Sequence, residues 1–141
     1  MTIIQKRIIL IILFSCLSFF TVQCQQVPTI TPADVVKMLL KDSSVVLLDV
    51  RTKSEFDEDG HLKGAILIPI QELQDRINEL DFAKSKKIIA YCRSGRRSGI
   101  ATSLLQSKGF SVVNLDGGIV RWKAEHLSFI SKNVQPEIKK K

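Results

Sequence analysis

A single cysteine, Cys92, heads the run Cys92-Arg93-Ser94-Gly95-Arg96-Arg97-Ser98, whose residue types and spacing suit a nucleophilic thiolate. Gly95 lets the chain turn sharply just after the sulfur. A helix predicted to start near Arg97 or Ser98 turns its free N–H groups back on the loop. Those N–H groups and three arginines make a positive field, which lowers a thiol pKa and favours the nucleophilic form. The same field suits a small anion. The plainer alternative is a buried structural cysteine followed by a basic surface turn.

The elements that must position Cys92 follow from the pattern of apolar residues. Thr31-Pro32-Ala33-Asp34 opens a helix: Thr31 is a good N-cap, Pro32 suits the first helical position, and Asp34 favours the positive helix end. Val35, Met38 and Leu39 carry that helix to about Leu40, and residues 41–44 turn. Residues 45–50 are a continuous aliphatic run, as expected of a strand buried on both faces. A short helix over 54–59 is stopped by Gly60, and a strand over 65–68 ends at Pro69. Leu73, Ile77 and Leu80 predict a helix over 72–80. Residues 88–91 form a third buried strand with Cys92 at its C-terminal end. A helix over 98–108 has Ile100, Ala101, Leu104 and Leu105 inward and Gly109 as its cap. Residues 112–115 are a fourth strand, and Gly117-Gly118 starts a last helix carrying Trp122. Alternating strands and helices argue for a parallel sheet with helices on both faces, in which ligands sit at the carboxyl ends of strands.

The 141 residues suffice for one domain, with 45% apolar and 25% charged residues and a net charge of +7. Residues 1–24 read as an export signal rather than part of the fold. Lys6 and Arg7 precede an uncharged apolar run over 8–22, which Gln23, Gln25 and Gln26 end. The run is short of the roughly 20 residues of a membrane span. A lipoprotein-type signal is the rival, at Leu13-Phe14-Ser15-Cys16 or Thr21-Val22-Gln23-Cys24, and an uncleaved anchor is a third route. All three place the domain outside the cytoplasm, in the periplasm or anchored facing it. Residues 25–29 read as a short linker, 30–126 as the domain and 127–141 as a basic tail ending in Lys139-Lys140-Lys141. No basic stripe interleaved with aromatics points to nucleic acid, and the only membrane contact expected is through an N-terminal anchor. Two of the three cysteines lie in the signal, so no disulfide framework is possible in the mature domain.

Three blocks in order resemble the rhodanese-homology family. The first is Leu48-Asp49-Val50-Arg51 with Glu55-Phe56, Gly60-His61-Leu62, Gly64-Ala65-Ile66 and Pro69. The second runs from Tyr91 through Cys92 to Ser98. The third is Leu115-Asp116-Gly117-Gly118 with Trp122. Together they cover about Ile30 to Glu125. The resemblance implies an α/β, rhodanese-like fold, with a mainly parallel sheet of four to five strands and helices on both faces. It implies a monomeric sulfurtransferase. Cys92 takes sulfane sulfur from a small anionic donor such as thiosulfate, becomes a persulfide, and passes the sulfur to a thiol or to cyanide. Loop N–H groups from Arg93 to Ser98 (with Ser94, Gly95, Arg96 and Arg97 between) would cradle the persulfide. The side chains of Arg93, Arg96 and Arg97 are candidates for the donor's sulfonate end. No metal or organic cofactor is implied. Asp49 and Arg51 are expected to form a structural ion pair, Glu55 to fix the turn beside them, His61 to be structural, Trp122 to anchor the core and His126 to lie on the surface. The sequence departs from the family at Leu67, where Asn or His is common.

Two rivals differ in class. A phosphatase or arsenate reductase on the same fold needs an arginine six residues after the cysteine. Here that position is Ser98, and the last arginine, Arg97, falls one earlier. A sulfur carrier or binding module without turnover would keep the same cysteine and loop.

Overall fold

A computed structural model describes residues 26–127 and 130–131. The expected export signal, with Cys16 and Cys24, and the terminal lysines lie outside these residues. Five parallel strands form one sheet in the order β1-β6-β5-β2-β4. They are β1 (Thr29–Ile30), β2 (Val46–Asp49), β4 (Ile66–Leu67), β5 (Lys87–Tyr91) and β6 (Ser111–Leu115). The strand additional to the four read from sequence is β1, which begins inside the segment read as a linker and pairs with β6. A separate antiparallel pair joins β3 (His61–Leu62) to β7 (Ile130–Ser131).

Side chains alternate across the central strands and divide the interior into two cores. On one face Val46 and Leu48 of β2, Ile88 and Ala90 of β5, and Val112 of β6 pack with Ala101 and Leu105 of helix α3 (Arg96–Ser107). On the other face Leu47, Ile89, Tyr91 and Leu115 pack with Val35 of α1 (Pro32–Lys41) and with Ile119 and Trp122 of α4 (Gly118–Ala124). Trp122 is fully buried, as expected of a core anchor. The Thr31 cap forms as expected, with Oγ1 accepting from the Asp34 N–H at 3.2 Å. Helix α2 (Lys53–Glu58) starts with a reciprocal capping box: Thr52 accepts from the Glu55 N–H, and Glu55 accepts from the Thr52 N–H.

Two expectations are corrected. The helix over 72–80 is instead a series of turns leading into a 3₁₀ helix, Ile77–Ala83. Ile77, Leu80 and Ala83 recur every three residues, the period at which 3₁₀ side chains eclipse, so this winding buries them on one side. Ile100 does not face inward but is 60% exposed. The buried stripe of α3 is Ser98, Ala101, Thr102 and Leu105, at the spacing of one helix face, and Ile100 lies on the far side of it.

Candidate active site

Cys92 directly follows β5, at the carboxyl end of the central strand, and continues the face of Ile88 and Ala90. It therefore points toward α3. Gly95 caps that helix with φ +98°, a left-handed conformation that a side chain would strain. The helix begins at Arg96, slightly earlier than expected. A second glycine closes the site from beyond β6. A Cβ on Gly118 would lie 2.5 Å from the Cys92 carbonyl oxygen, so only glycine lets α4 press this closely on the loop. The Ile119 and Val120 N–H groups then donate to the carbonyls of Cys92 and Arg93 at 2.9 and 3.1 Å.

The sulfur is enclosed: Cys92 is 1% exposed. Its Sγ accepts from the Gly95 N–H at 3.2 Å, and the Ser98 hydroxyl stands 3.4 Å away. Burial pushes the thiol up. Hydrogen bonds from the Ser98 hydroxyl and from the N–H groups of Ser98, Ser94 and Gly95 outweigh it, so the thiol lies below its ordinary value. This is the expected activation, although its source is the loop and helix N–H groups and Ser98 more than the arginines.

The three arginines divide. Arg93 and Arg96 are exposed, and neither side chain has a hydrogen bond or ion pair with a described residue. Arg97 is engaged: it grips both carboxylate oxygens of Glu55 at 2.6 and 2.7 Å. That pair holds the Glu55 carboxyl down to about 2, against the opposing effect of its partial burial, with the Thr52 bonds assisting. Glu55 also raises Arg97 and keeps it charged, and the nearby sulfur adds to this. Glu55 thus fixes its own turn, as expected, and also ties that turn to the cysteine loop. Arg97, a candidate for the donor's sulfonate end with Arg93 and Arg96, is thus the one of the three that is already paired.

Asn114 is a participant that sequence reasoning missed. It sits on β6 opposite Ala90, on the same face as Cys92. Its Nδ2 donates to the Gly95 carbonyl at 3.0 Å, and its Oδ1 accepts from the Ser98 hydroxyl at 2.6 Å. The available signal was an amide interrupting the apolar run Val112-Val113-Asn114-Leu115 in a strand buried on both sides.

The residues expected to be scaffold behave so. Asp49 and Arg51 form a buried ion pair at 2.7 Å. His61 stacks on Phe56 at 3.6 Å, with Nδ1 3.0 Å from the Phe56 carbonyl oxygen. His126 is exposed. Among the described residues no cluster of His, Cys, Asp and Glu could hold a metal ion, and no helix is long and apolar enough to cross a membrane.

Comparison with known proteins agrees with this geometry. A "Sulfurtransferase" of Allochromatium vinosum is 33% identical over 94 residues, 66% of this chain and 85% of that protein. A "tRNA uridine(34) hydroxylase" of Wigglesworthia glossinidia brevipalpis is 39% identical over 103 residues, 70% of this chain; the chain spans only 31% of that protein. The crystal structure of a rhodanese-related protein from Thermoplasma volcanium superposes with a TM-score of 0.67 at 30% identity, covering 74% of this chain and 97% of the other. The rhodanese-like domain model matches residues 31–125, which run from α1 to α4 and take in four of the five sheet strands and the whole Cys92 loop; the chain belongs to the rhodanese-like family, among sulfurtransferases and sulfur carriers.

Proposed function

We propose that this chain moves sulfane sulfur from a small anionic donor such as thiosulfate to a thiophilic acceptor through a persulfide on Cys92. The observation that carries the proposal is the set of donors converging on Sγ, with the Gly95 N–H at 3.2 Å and Ser98 at 3.4 Å. The Cys92 thiolate attacks the outer sulfur of thiosulfate. The new S–S bond forms as the old one breaks, and sulfite leaves with the bonding electron pair. The persulfide keeps one negative charge, which the same N–H groups can receive. Cyanide or a thiolate then takes the outer sulfur and returns the Cys92 thiolate. Arg93 and Arg96, exposed at the loop, are the groups available to the donor's sulfonate end.

Cys92 is the only free thiol among the described residues, so the acceptor comes from outside the domain. Phosphate chemistry fits the loop less well. The sixth position after the cysteine holds the buried hydroxyl of Ser98, and Arg97 is committed to Glu55. The proposal extends to place: the charged start and apolar run within residues 1–24 support an exported domain.

The test mixes the protein with thiosulfate and weighs it. Wild type should gain the mass of one sulfur atom and release thiocyanate when cyanide is added, and Cys92→Ala should do neither. Sulfur gain without turnover on cyanide or any thiol would make it a carrier. No gain from any sulfane donor would overturn the proposal.

A further inference from the structure

Two of the donors on Cys92 Sγ, the Gly95 N–H and the Ser98 hydroxyl, are themselves held by one side chain. The Gly95 N–H points at the sulfur while the Gly95 carbonyl accepts from Asn114 Nδ2 at 3.0 Å. The Ser98 hydroxyl reaches the sulfur at 3.4 Å while bonded to Asn114 Oδ1 at 2.6 Å. The amide has no freedom to turn over. A carbonyl only accepts, so the nitrogen end must face Gly95 and the oxygen end must face Ser98. Asn114 is 7% exposed, and both ends of its amide are used by the cysteine loop and the helix that follows it.

We propose that Asn114 is a positioning residue for Cys92, holding the Gly95 N–H where it stabilises the thiolate and keeping the Ser98 oxygen within reach of the sulfur. The hydroxyl carries one proton. With that proton on Asn114 Oδ1, the Ser98 oxygen is free to accept from the neutral thiol. When the thiol loses its proton to solvent, the hydroxyl turns its own to the sulfur by rotation about one bond and gives up its bond to Asn114 Oδ1, so that arm of the amide sets where the oxygen sits and the Gly95 tether is the arm that favours the thiolate. Without the amide, the Ser98 hydroxyl can bond back to the carbonyl one turn earlier in the chain, and Gly95 loses its tether. The other charged groups on this side are few. Arg93 and Arg96 are exposed on the loop, Arg97 of α3 is paired with Glu55 of α2, and Asp116 is paired with Arg121 of α4. From β6 the group that faces Ser98 and Gly95 is the neutral amide of Asn114.

The inference rests on Cys92 being the working thiol, but its test is independent of sulfur transfer. The thiol pKa is read in the full chain from the pH dependence of alkylation by iodoacetamide, with circular dichroism to confirm folding. Asn114→Ala should raise the midpoint by about one unit, a tenfold fall in the thiolate fraction below it. In a Ser98→Ala background the same substitution should still raise it by at least as much, because the Gly95 tether is lost in both. If Asn114→Ala does not fold, Asn114→Thr replaces it: Thr suits a strand interior but cannot span Gly95 and Ser98. A midpoint at or below the wild-type value in a folded variant overturns the proposal. So does the loss of the shift in the Ser98→Ala background. A shift as expected in a protein that gains no sulfur would uphold this role of Asn114 and sink the sulfurtransferase reading alone.

Discussion

The ends of β2 and β5 lie side by side, with Asp49 opposite Tyr91, yet they are built on opposite rules. At the end of β2 every charge is answered from within. Arg51 bonds both Asp49 oxygens and the Gly60 carbonyl, and the Asp49 carboxylate also accepts from the Arg51 N–H. Burial opposes the Arg51 charge, but Asp49 outweighs it and raises the guanidinium. Tyr91 joins the group: its hydroxyl accepts from the Leu62 N–H, and burial, with Asp49 beside it, pushes that hydroxyl up. At the end of β5 three arginines follow the sulfur within five residues and one of them has a carboxylate partner. The two regions meet in consecutive residues, because Tyr91 turns to one face of the sheet and Cys92 to the other. A constellation with nothing left over holds the fold. One with donors and cations left over has something to offer a ligand.

That contrast can be broken by substitution. The largest effect on stability is expected from Arg51→Ala, which strands the Asp49 charge at 0% exposure and should cost about 3–5 kcal/mol in urea unfolding. By contrast Cys92→Ala should end sulfur transfer and leave the unfolding midpoint nearly unmoved. A stable Arg51→Ala would dissolve the distinction. Next comes Glu55→Gln, which weakens the tie between the two regions and should cost about 1–2 kcal/mol at neutral pH. The Glu55 carboxyl is depressed from 4.5 to about 2 in the folded chain. Its contribution is therefore complete above the unfolded value and disappears as pH falls through about 2. Unfolding of parent and variant across the acid range should converge there, and a difference independent of pH would deny the pairing. The smallest effect belongs to Thr102, whose buried Oγ1 has no hydrogen-bond partner among the described residues. Thr102→Val keeps the shape, removes the unpaired hydroxyl and should raise stability by about 0.5–1 kcal/mol, with sulfur transfer unchanged. Thermal melting measures it, and a lower melting temperature would mean that the hydroxyl is satisfied.

Much of this was legible in local sequence because local chemistry decides it. Continuous aliphatic runs marked β2 and β5, Thr31 and Pro32 marked the start of α1, and Cys92-x-x-Gly95 marked the loop. The winding of residues 77–83 was misjudged because apolar residues three and four apart suit both kinds of helix over so short a stretch. Hydrophobicity alone puts Ile100 inward, but helix phase decides, and the inward positions include the polar Ser98 and Thr102. The pairing of Glu55 with Arg97 and the double hold of Asn114 join residues far apart in the chain. They exist only because β2, β5 and β6 are neighbours in space, which no local pattern records.

The contacts of α4 carry a consequence for charge selection. The carbonyls of Cys92 and Arg93 are turned away to meet the Ile119 and Val120 N–H groups, and the carbonyl of Gly95 is taken by Asn114 and the Gly99 N–H. The peptide units of the loop are thereby sorted by polarity, with these three oxygens taken up by α4, α3 and Asn114 and the Gly95 hydrogen left to the sulfur. Whatever reaches Cys92 meets backbone hydrogens and no competing backbone oxygen from those three residues. The backbone itself discriminates by sign around the sulfur, and the exposed arginines act on a choice the peptide units have already biased.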